Sequence, residues 1–200
     1  MIVVARRLRH PQTTLALSDA PSHELSELHA VVERALRAAQ ARPTAETTRK
    51  ERHRARARHF IIALADALRE HEGTPLDTLS RYHDGLRDRI GTAEPLHDIT
   101  LSHSAKIGEQ WYLTEVVWQV ESHLAFDPRE VVHDFNKLVL GSAHHKLFVA
   151  ATVPDPNALL RTLEPAAGRC TGRVFLALVP PPEQWDGEAA GVVRTWQFRR

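Results

Sequence analysis

Two short, nearly continuous apolar runs, KLFVAAT at 146–152 and RVFLALV at 173–179, constrain the fold of this chain more than any other feature. A strand with one wet face alternates apolar and polar residues. These two do not, so both of their faces must be covered, as in the buried parallel strands of α/β proteins. The stretch between them, about Pro156 to Glu164, reads as a helix, which makes strand–helix–strand a crossover unit. Neither run approaches the ~20 apolar residues of a membrane span, and no other stretch does.

The residues upstream extend the pattern. LHDITLS at 96–102 alternates as a strand, SAKIGEQ reads as a turn, and WYLTEVVWQVESHL at 111–124 is a long strand rich in β-branched and aromatic residues. Asp127 is a helix cap with Pro128 and Glu130 in the first turn, and Val131, Val132, Phe135, Leu138 and Val139 face inward. VVRTWQF near the C-terminus reads as an edge strand.

Before residue 95 helical spacing dominates. Residues 2–17 read as one or two short strands. A helix capped by Ser22 then carries Leu25, Leu28, Val32, Ala35, Leu36 and Ala39 on one stripe and stops by Pro43. A second helix runs from about Thr44 to Glu72, ended by Gly73 and Pro75. A third is expected over Thr74–Ile90, with Thr74 and Asp77 as a capping box. The expected architecture is α/β: helices first, then a mixed sheet flanked by crossover helices. Residues 1–43 form an N-terminal strand/helix extension and 44–200 the main domain.

Composition narrows the function classes. The single cysteine, Cys170, rules out an intramolecular disulfide and a Cys-built zinc site. The start, MIVVARRLRHP, reverses the charge order of a secretory signal, so a cytoplasmic protein without a membrane partner is expected. Thirteen histidines are scattered without HExxH spacing, and no Walker A, GxSxG or dinucleotide fingerprint occurs. The formal net charge of +1 does not announce a nucleic-acid binder. The basic residues are unevenly placed, however. Arg49, Lys50, Arg52, Arg54, Arg56 and Arg58 crowd the first half of the second helix, which is expected to project as a solvated arm or to contact phosphates.

The chemistry-bearing residues lie on the long strand and its neighbours. Alternation puts Glu115, Val117, Gln119, Glu121 and His123 on one face, and Val116, Trp118, Val120 and Leu124 on the other. A glutamate buried in such a strand costs several kcal/mol unless a metal or another cation compensates it. Asp98, at the start of the preceding strand, is brought alongside by the hairpin. Two acids could then converge on one point, with oxygen ligands of the kind Mg²⁺ prefers. On the following helix Glu130, Asp134 and Lys137 lie along one side, so Lys137 either snorkels outward or points its ammonium at the acids.

Asp98, a gap of about two dozen residues, then Glu121-Ser122-His123 on a strand and Asp134-Phe135-Asn136-Lys137-Leu138 on a helix together resemble the PD-(D/E)XK, or restriction endonuclease-like, superfamily. The resemblance covers roughly residues 44–152 and implies an α-β-β-β-α-β core with the acids on its second and third strands. It further implies that Asp98 and Glu121 are ligands of Mg²⁺ or Mn²⁺, and that Asp98, Glu121, His123 and Lys137 form a catalytic set. Nucleic acid, DNA before RNA, would be the substrate. Two positions depart from the family pattern: His97 stands before Asp98 in place of proline, and His123 stands where the strand lysine is expected. Lys137 would supply that lysine from the helix, and His123 would ligate the ion or orient water. The rival expectation is a catalytically inactive nuclease-fold module that binds nucleic acid or protein, or forms a homodimer through its N-terminal helices. A third is an unrelated α/β domain whose polar hairpin face lies open to water at a sheet edge.

Overall fold

Helix α1, His23–Gln40, starts where Ser22 accepts a hydrogen bond from the Leu25 amide, and it buries Leu28, Val31, Val32, Ala35, Leu36 and Ala39. Those residues recur at helical spacing, so one face of α1 becomes core. The computed structural model describes residues 22–91, 95–125, 127–185 and 192–199. The strands expected over 2–17 lie outside the described residues.

Helix α2, Arg49–Glu72, is capped by Thr48 and ended by Gly73, whose left-handed φ of 64° turns the chain away. Its second half buries Phe60, Ile61, Leu64 and Leu68 against α1 and the sheet. Its first half does not project. Arg56 is buried and its guanidinium donates to the carbonyl of Pro182 at 2.6 Å, so the helix lies against the short 3-10 turn Pro182–Gln184.

The helix expected over 74–90 is corrected. Asp77–Leu79 form strand β1, and only Asp84–Ile90 are helical, as α3. Asp77 caps nothing: its carboxylate is taken by Arg89 and by Ser104 of the adjoining strand. Cross-strand pairing here outweighs a local capping pattern.

Strands β2, Ile99–Ile107, and β3, Gln110–His123, form the long hairpin. Helix α4, Pro128–Val139, strand β4, His145–Ala151, helix α5, Pro156–Ala167, and strand β5, Arg173–Val179, follow in alternation. Strand β6, Arg194–Phe198, pairs antiparallel on β5, as the sequence predicted for an edge strand. Among the described residues six strands form one mixed sheet in the order β1-β2-β3-β4-β5-β6. The β1–β2 and β2–β3 pairs are antiparallel, and β3–β4 and β4–β5 are parallel.

Two cores result, one on each side of the sheet. Helices α1 and α2 cover the face carrying Ile99, Leu101, Trp118, Val120, Leu147 and Phe175. Helices α4 and α5 cover the face carrying Phe148, Leu176 and Leu178. The 96–124 hairpin is flanked by β1 and β4 and is not a bare edge. Register shifts after Leu101 and His103 leave Val117 and Thr114 as extra residues in β3. Strict alternation therefore fails at Val117, which packs with Trp118 and Val120 rather than facing with Glu121. No helix among the described residues is long and apolar enough to cross a membrane.

Candidate functional site

The site is built where β2 begins, β3 ends and α4 crosses over them. Glu121 is paired in parallel register with Phe148 of β4, so its side chain lies on the α4 side of the sheet and is 1% exposed. One step beyond the Ile99–Val120 pair, the antiparallel register puts Asp98 beside Glu121. The Asp98 Oδ2 accepts from the Ser122 amide at 2.9 Å and from the Ser122 hydroxyl at 2.6 Å. Asp98 is thus clamped to the backbone of the strand that carries the second acid.

Helix α4 supplies the cation. Its amphipathic spacing buries Phe135 and Leu138 and turns Asp134 and Lys137 toward β3. The Lys137 Nζ lies 3.3 Å from Glu121 Oε2 and 2.9 Å from Asp134 Oδ1. Asp134 Oδ2 in turn accepts from His123 Nδ1 at 2.9 Å. Glu121, Lys137, Asp134 and His123 form one continuous chain of contacts, with Asp98 next to Glu121.

The electrostatics follow from burial and these partners. Burial foremost, and then the neighbouring Asp98 charge, push the Glu121 carboxyl up to about 8 against the opposing pull of Lys137. Burial also works to raise Asp134, but the hydrogen bonds from Lys137 and His123 outweigh it and hold the group below the usual carboxylate range. Lys137 loses some solvation, yet Asp134 and Glu121 together keep its ammonium above the ordinary lysine value. The firm ion pair is Lys137–Asp134, because Asp134 is the acid that stays charged. Glu121 remains under-compensated: its Oε1 is buried without a hydrogen-bond partner. Neither protonation state repairs that, since a carboxylate lacks a donor there and a carboxylic acid lacks an acceptor.

An added cation would repair it. Among the described residues no three His, Cys, Asp or Glu side chains are gathered as a closed metal cage. The donor set is two carboxylates, Glu121 with an idle oxygen and Asp98. Mg²⁺ accepts such a set, completing its shell with water and substrate phosphate oxygens. Asp98 and Glu121 are thus the residues that could hold a hard divalent ion here.

Two residues that support the site were given no role from the sequence: His97 was noted only as a departure from the family pattern, and Lys146 not at all. His97 is buried and its Nε2 donates to the Lys137 carbonyl at 3.1 Å, which ties the Asp98 loop to the end of α4. Burial lowers its imidazole pKa, and the ammoniums of Lys146 and Lys137 add to this against the pull of the Lys137 carbonyl. Lys146 sits fully buried at the start of β4 and donates to the carbonyls of Leu138 and Gly141 at 2.8 and 2.6 Å, capping the C-terminus of α4. A Cβ at Gly141 beside it would push the Gln119 side-chain amide out of place. The one sequence signal for this support was a lysine opening an otherwise apolar strand.

The basic residues of α2 divide. Arg49, Lys50 and Arg54, with His53 and Glu183, line an open cavity of about 450 Å³ whose wall includes Ala125, just past the end of β3. Arg52 donates to the Thr47 carbonyl, Arg56 is buried, and Arg58 lies over the Tyr82 ring at 5.4 Å. Three of the six residues expected to contact phosphate thus share one cleft, between α2 and the 3-10 turn Pro182–Gln184.

No protein-family model, curated protein or solved structure matches this chain.

Proposed function

We propose that this chain is a divalent-metal-dependent, nuclease-like phosphodiester hydrolase acting on nucleic acid, with DNA as the first substrate to test. The observation that carries the reading is the placement of Lys137. Helix α4 brings its ammonium to the second acid of the constellation, where the strand position itself holds His123. The element order supports the same reading. Helix α2, strands β1, β2 and β3, helix α4 and strand β4 follow the α-β-β-β-α-β order of the PD-(D/E)XK core, with α3 inserted after β1. Glu121 sits on the third of those strands, and Asp98 lies one residue before the second.

In this reading Asp98 and Glu121 hold Mg²⁺ or Mn²⁺. A bound ion would polarise the scissile phosphate and lower the pKa of an attacking water. The chain's own residues do the rest. Lys137, held by Asp134, presents a fixed positive charge to the phosphate as negative charge develops there. His123, oriented by Asp134, lines the approach. Arg49, Lys50 and Arg54 receive flanking backbone phosphates in the cleft along α2.

A second reading, a nuclease-fold module that binds without cleaving, is favoured by one observation: His123 is packed, with its Nδ1 already committed to Asp134. Calorimetry with Mg²⁺ and Mn²⁺ on the wild type and Glu121→Gln, followed by cleavage assays on duplex and single-stranded DNA, separates the two. Ion binding that disappears in the variant, together with cleavage, supports the hydrolase. Nucleic-acid binding with neither ion uptake nor cleavage supports the module.

A further inference from the structure

Glu183 of the 3-10 turn is the chain's own anion in a cationic crevice. Its Oε1 lies 3.0 Å from His53 Nδ1 and 3.9 Å from an Arg49 guanidinium nitrogen, both on α2. Burial works to raise its carboxyl, but its own backbone amide, His53 and Arg49 outweigh that and hold the group below the usual carboxylate range. The fold delivers this charge to the crevice. The carbonyl of Pro182, one residue before, accepts from the buried Arg56. Trp185, two residues after, donates from Nε1 to the Pro180 carbonyl at 2.8 Å, and its ring lies 6.0 Å from that of Phe60. With both neighbours anchored, the Glu183 backbone is fixed against the start of α2.

The crevice holds more positive charge than Glu183 balances. Its larger part, of about 450 Å³, is walled by Arg49, Lys50, His53 and Arg54 with Glu183 and Ala125. A smaller part, of about 170 Å³, reaches Arg52 and Arg56, whose guanidiniums are committed to the carbonyls of Thr47 and Pro182. Lys50 and Arg54 lie one turn apart, and among the described residues neither has an ion-pair partner. Glu51, the acid of the same turn, accepts from the Thr48 hydroxyl at 2.6 Å and is not part of the wall. Arg49, Lys50 and Arg54 against the single Glu183 carboxylate leave a surplus of two positive charges, without counting His53.

That surplus, around a carboxylate already seated, specifies a ligand. A phosphodiester carries one negative charge, whereas a phosphomonoester carries close to two at neutral pH and offers three acceptor oxygens. Two guanidiniums and an ammonium are the donors, and the planar arginine fork takes phosphate oxygens two at a time. The resident pair exchanges readily. The Arg49 and Glu183 side chains are 81% and 32% exposed, and ion pairs of that kind contribute little. We infer that this crevice binds a phosphomonoester dianion on Arg49, Lys50 and Arg54, and that Glu183 is its stand-in within the chain. The inference goes beyond the hydrolase reading, which asks of these cations only an attraction for strand phosphates. A strand end and a small phosphate ester both present the group, and the test separates them.

The test is calorimetric titration of the full chain in EDTA at about pH 8, where a phosphomonoester is a dianion. The probes are inorganic phosphate, dimethyl phosphate, and tetrathymidylate with a phosphate at its 5′ end, at its 3′ end or at neither. Inorganic phosphate is expected to bind at least about tenfold tighter than dimethyl phosphate, the size of one hydrogen bond to a charged group. A phosphorylated strand that binds tighter than inorganic phosphate assigns the site to strand ends, and equal affinity assigns it to small esters. Replacing Lys50 and Arg54, both exposed, by Met together is expected to erase the preference for the dianion while the melting temperature holds. Glu183→Gln distinguishes a stand-in from a purely structural ion pair, because removing the competing charge is expected to raise phosphate affinity at least about threefold. Equal affinity for the two phosphates, a preference that survives loss of Lys50 and Arg54, or a Glu183→Gln variant with unchanged or lower phosphate affinity would each overturn the inference. The titration needs no metal. Failure of ion uptake alone overturns the hydrolase reading and leaves the phosphate site standing, and failure of phosphate binding alone does the reverse.

Discussion

Lys137 of α4 reaches across to Glu121 of β3, Nζ to Oε2 at 3.3 Å, while Asp134 one helical turn earlier holds the same ammonium at 2.9 Å. The lysine is thereby fixed by a charged partner on its own helix and presented to an under-compensated acid on the strand. A lysine held in this way acts as a preorganised charge, which is worth most in a site with little water.

Replacing Lys137 by Met should remove that charge and keep most of the apolar stem. Cleavage is expected to fall roughly 10²–10³-fold, the usual cost of removing one preorganised electrostatic group. Single-turnover assays at saturating DNA would check this. An unchanged rate would remove Lys137 from the chemistry.

The Glu121 carboxyl, raised to about 8 from 4.5, makes stability depend on pH with a definite sign. Between those values the native state holds a proton that the unfolded chain has released, so stability falls as pH rises. The contribution is full below about 4.5 and disappears as pH rises through about 8. Asp134, held below its ordinary 3.8, acts oppositely and surrenders its contribution only in acid. Denaturant melts from pH 5 to 9 should show a decline in the wild type that is flattened in Glu121→Gln.

Ion uptake at the same carboxyl should release a proton at neutral pH, because the ligand must be ionised to bind. The apparent Mg²⁺ affinity is expected to rise with pH up to about 8 and then level off. Titrations in buffers of different ionisation enthalpy would count the released proton. Binding without proton release would place the ion elsewhere.

Neutralising Arg49, Lys50 and Arg54 together should weaken DNA binding uniformly across sequences. The slope of log K against log salt is expected to become shallower by roughly 0.9 for each phosphate that the protein no longer neutralises. Arg56→Ala should behave differently, lowering stability by leaving the Pro182 carbonyl without its donor, with little change in that slope. Affinity measured at several salt concentrations would separate the two.

Gly141→Ala should push Gln119 off the hydrogen bond its Oε1 accepts from the Ala143 amide. A cost of about 1–2 kcal/mol is expected from breaking one buried hydrogen bond. The cost of Gly141→Ala should shrink when Gln119 is already Ala, and a double-mutant cycle in urea would measure that coupling.

Much of the fold was legible in the residues themselves. Ser22 and Asp127 sit at the starts of helices, apolar stripes at helical spacing became buried faces, and 146–152 and 173–179 became central parallel strands. Each of these signals is local, because caps and periodicity act over one or two turns. The acids at Asp98 and Glu121, and Lys137 on the following helix, were visible for the same reason: each stood out against its neighbours. Tertiary structure decided the rest. Asp77–Leu79 became a strand because β2 offered a partner, and β3 put Val117 against the α2-side core because extra residues shift its register against β2. Lys146, His97 and Ser122 acquired their roles through partners 8, 40 and 24 residues away, and Arg56 was drawn inward by a carbonyl 126 residues on. Local pattern names an element and its buried face, whereas register, partner choice and the fate of each charge depend on contacts between segments that the chain brings together only when it folds.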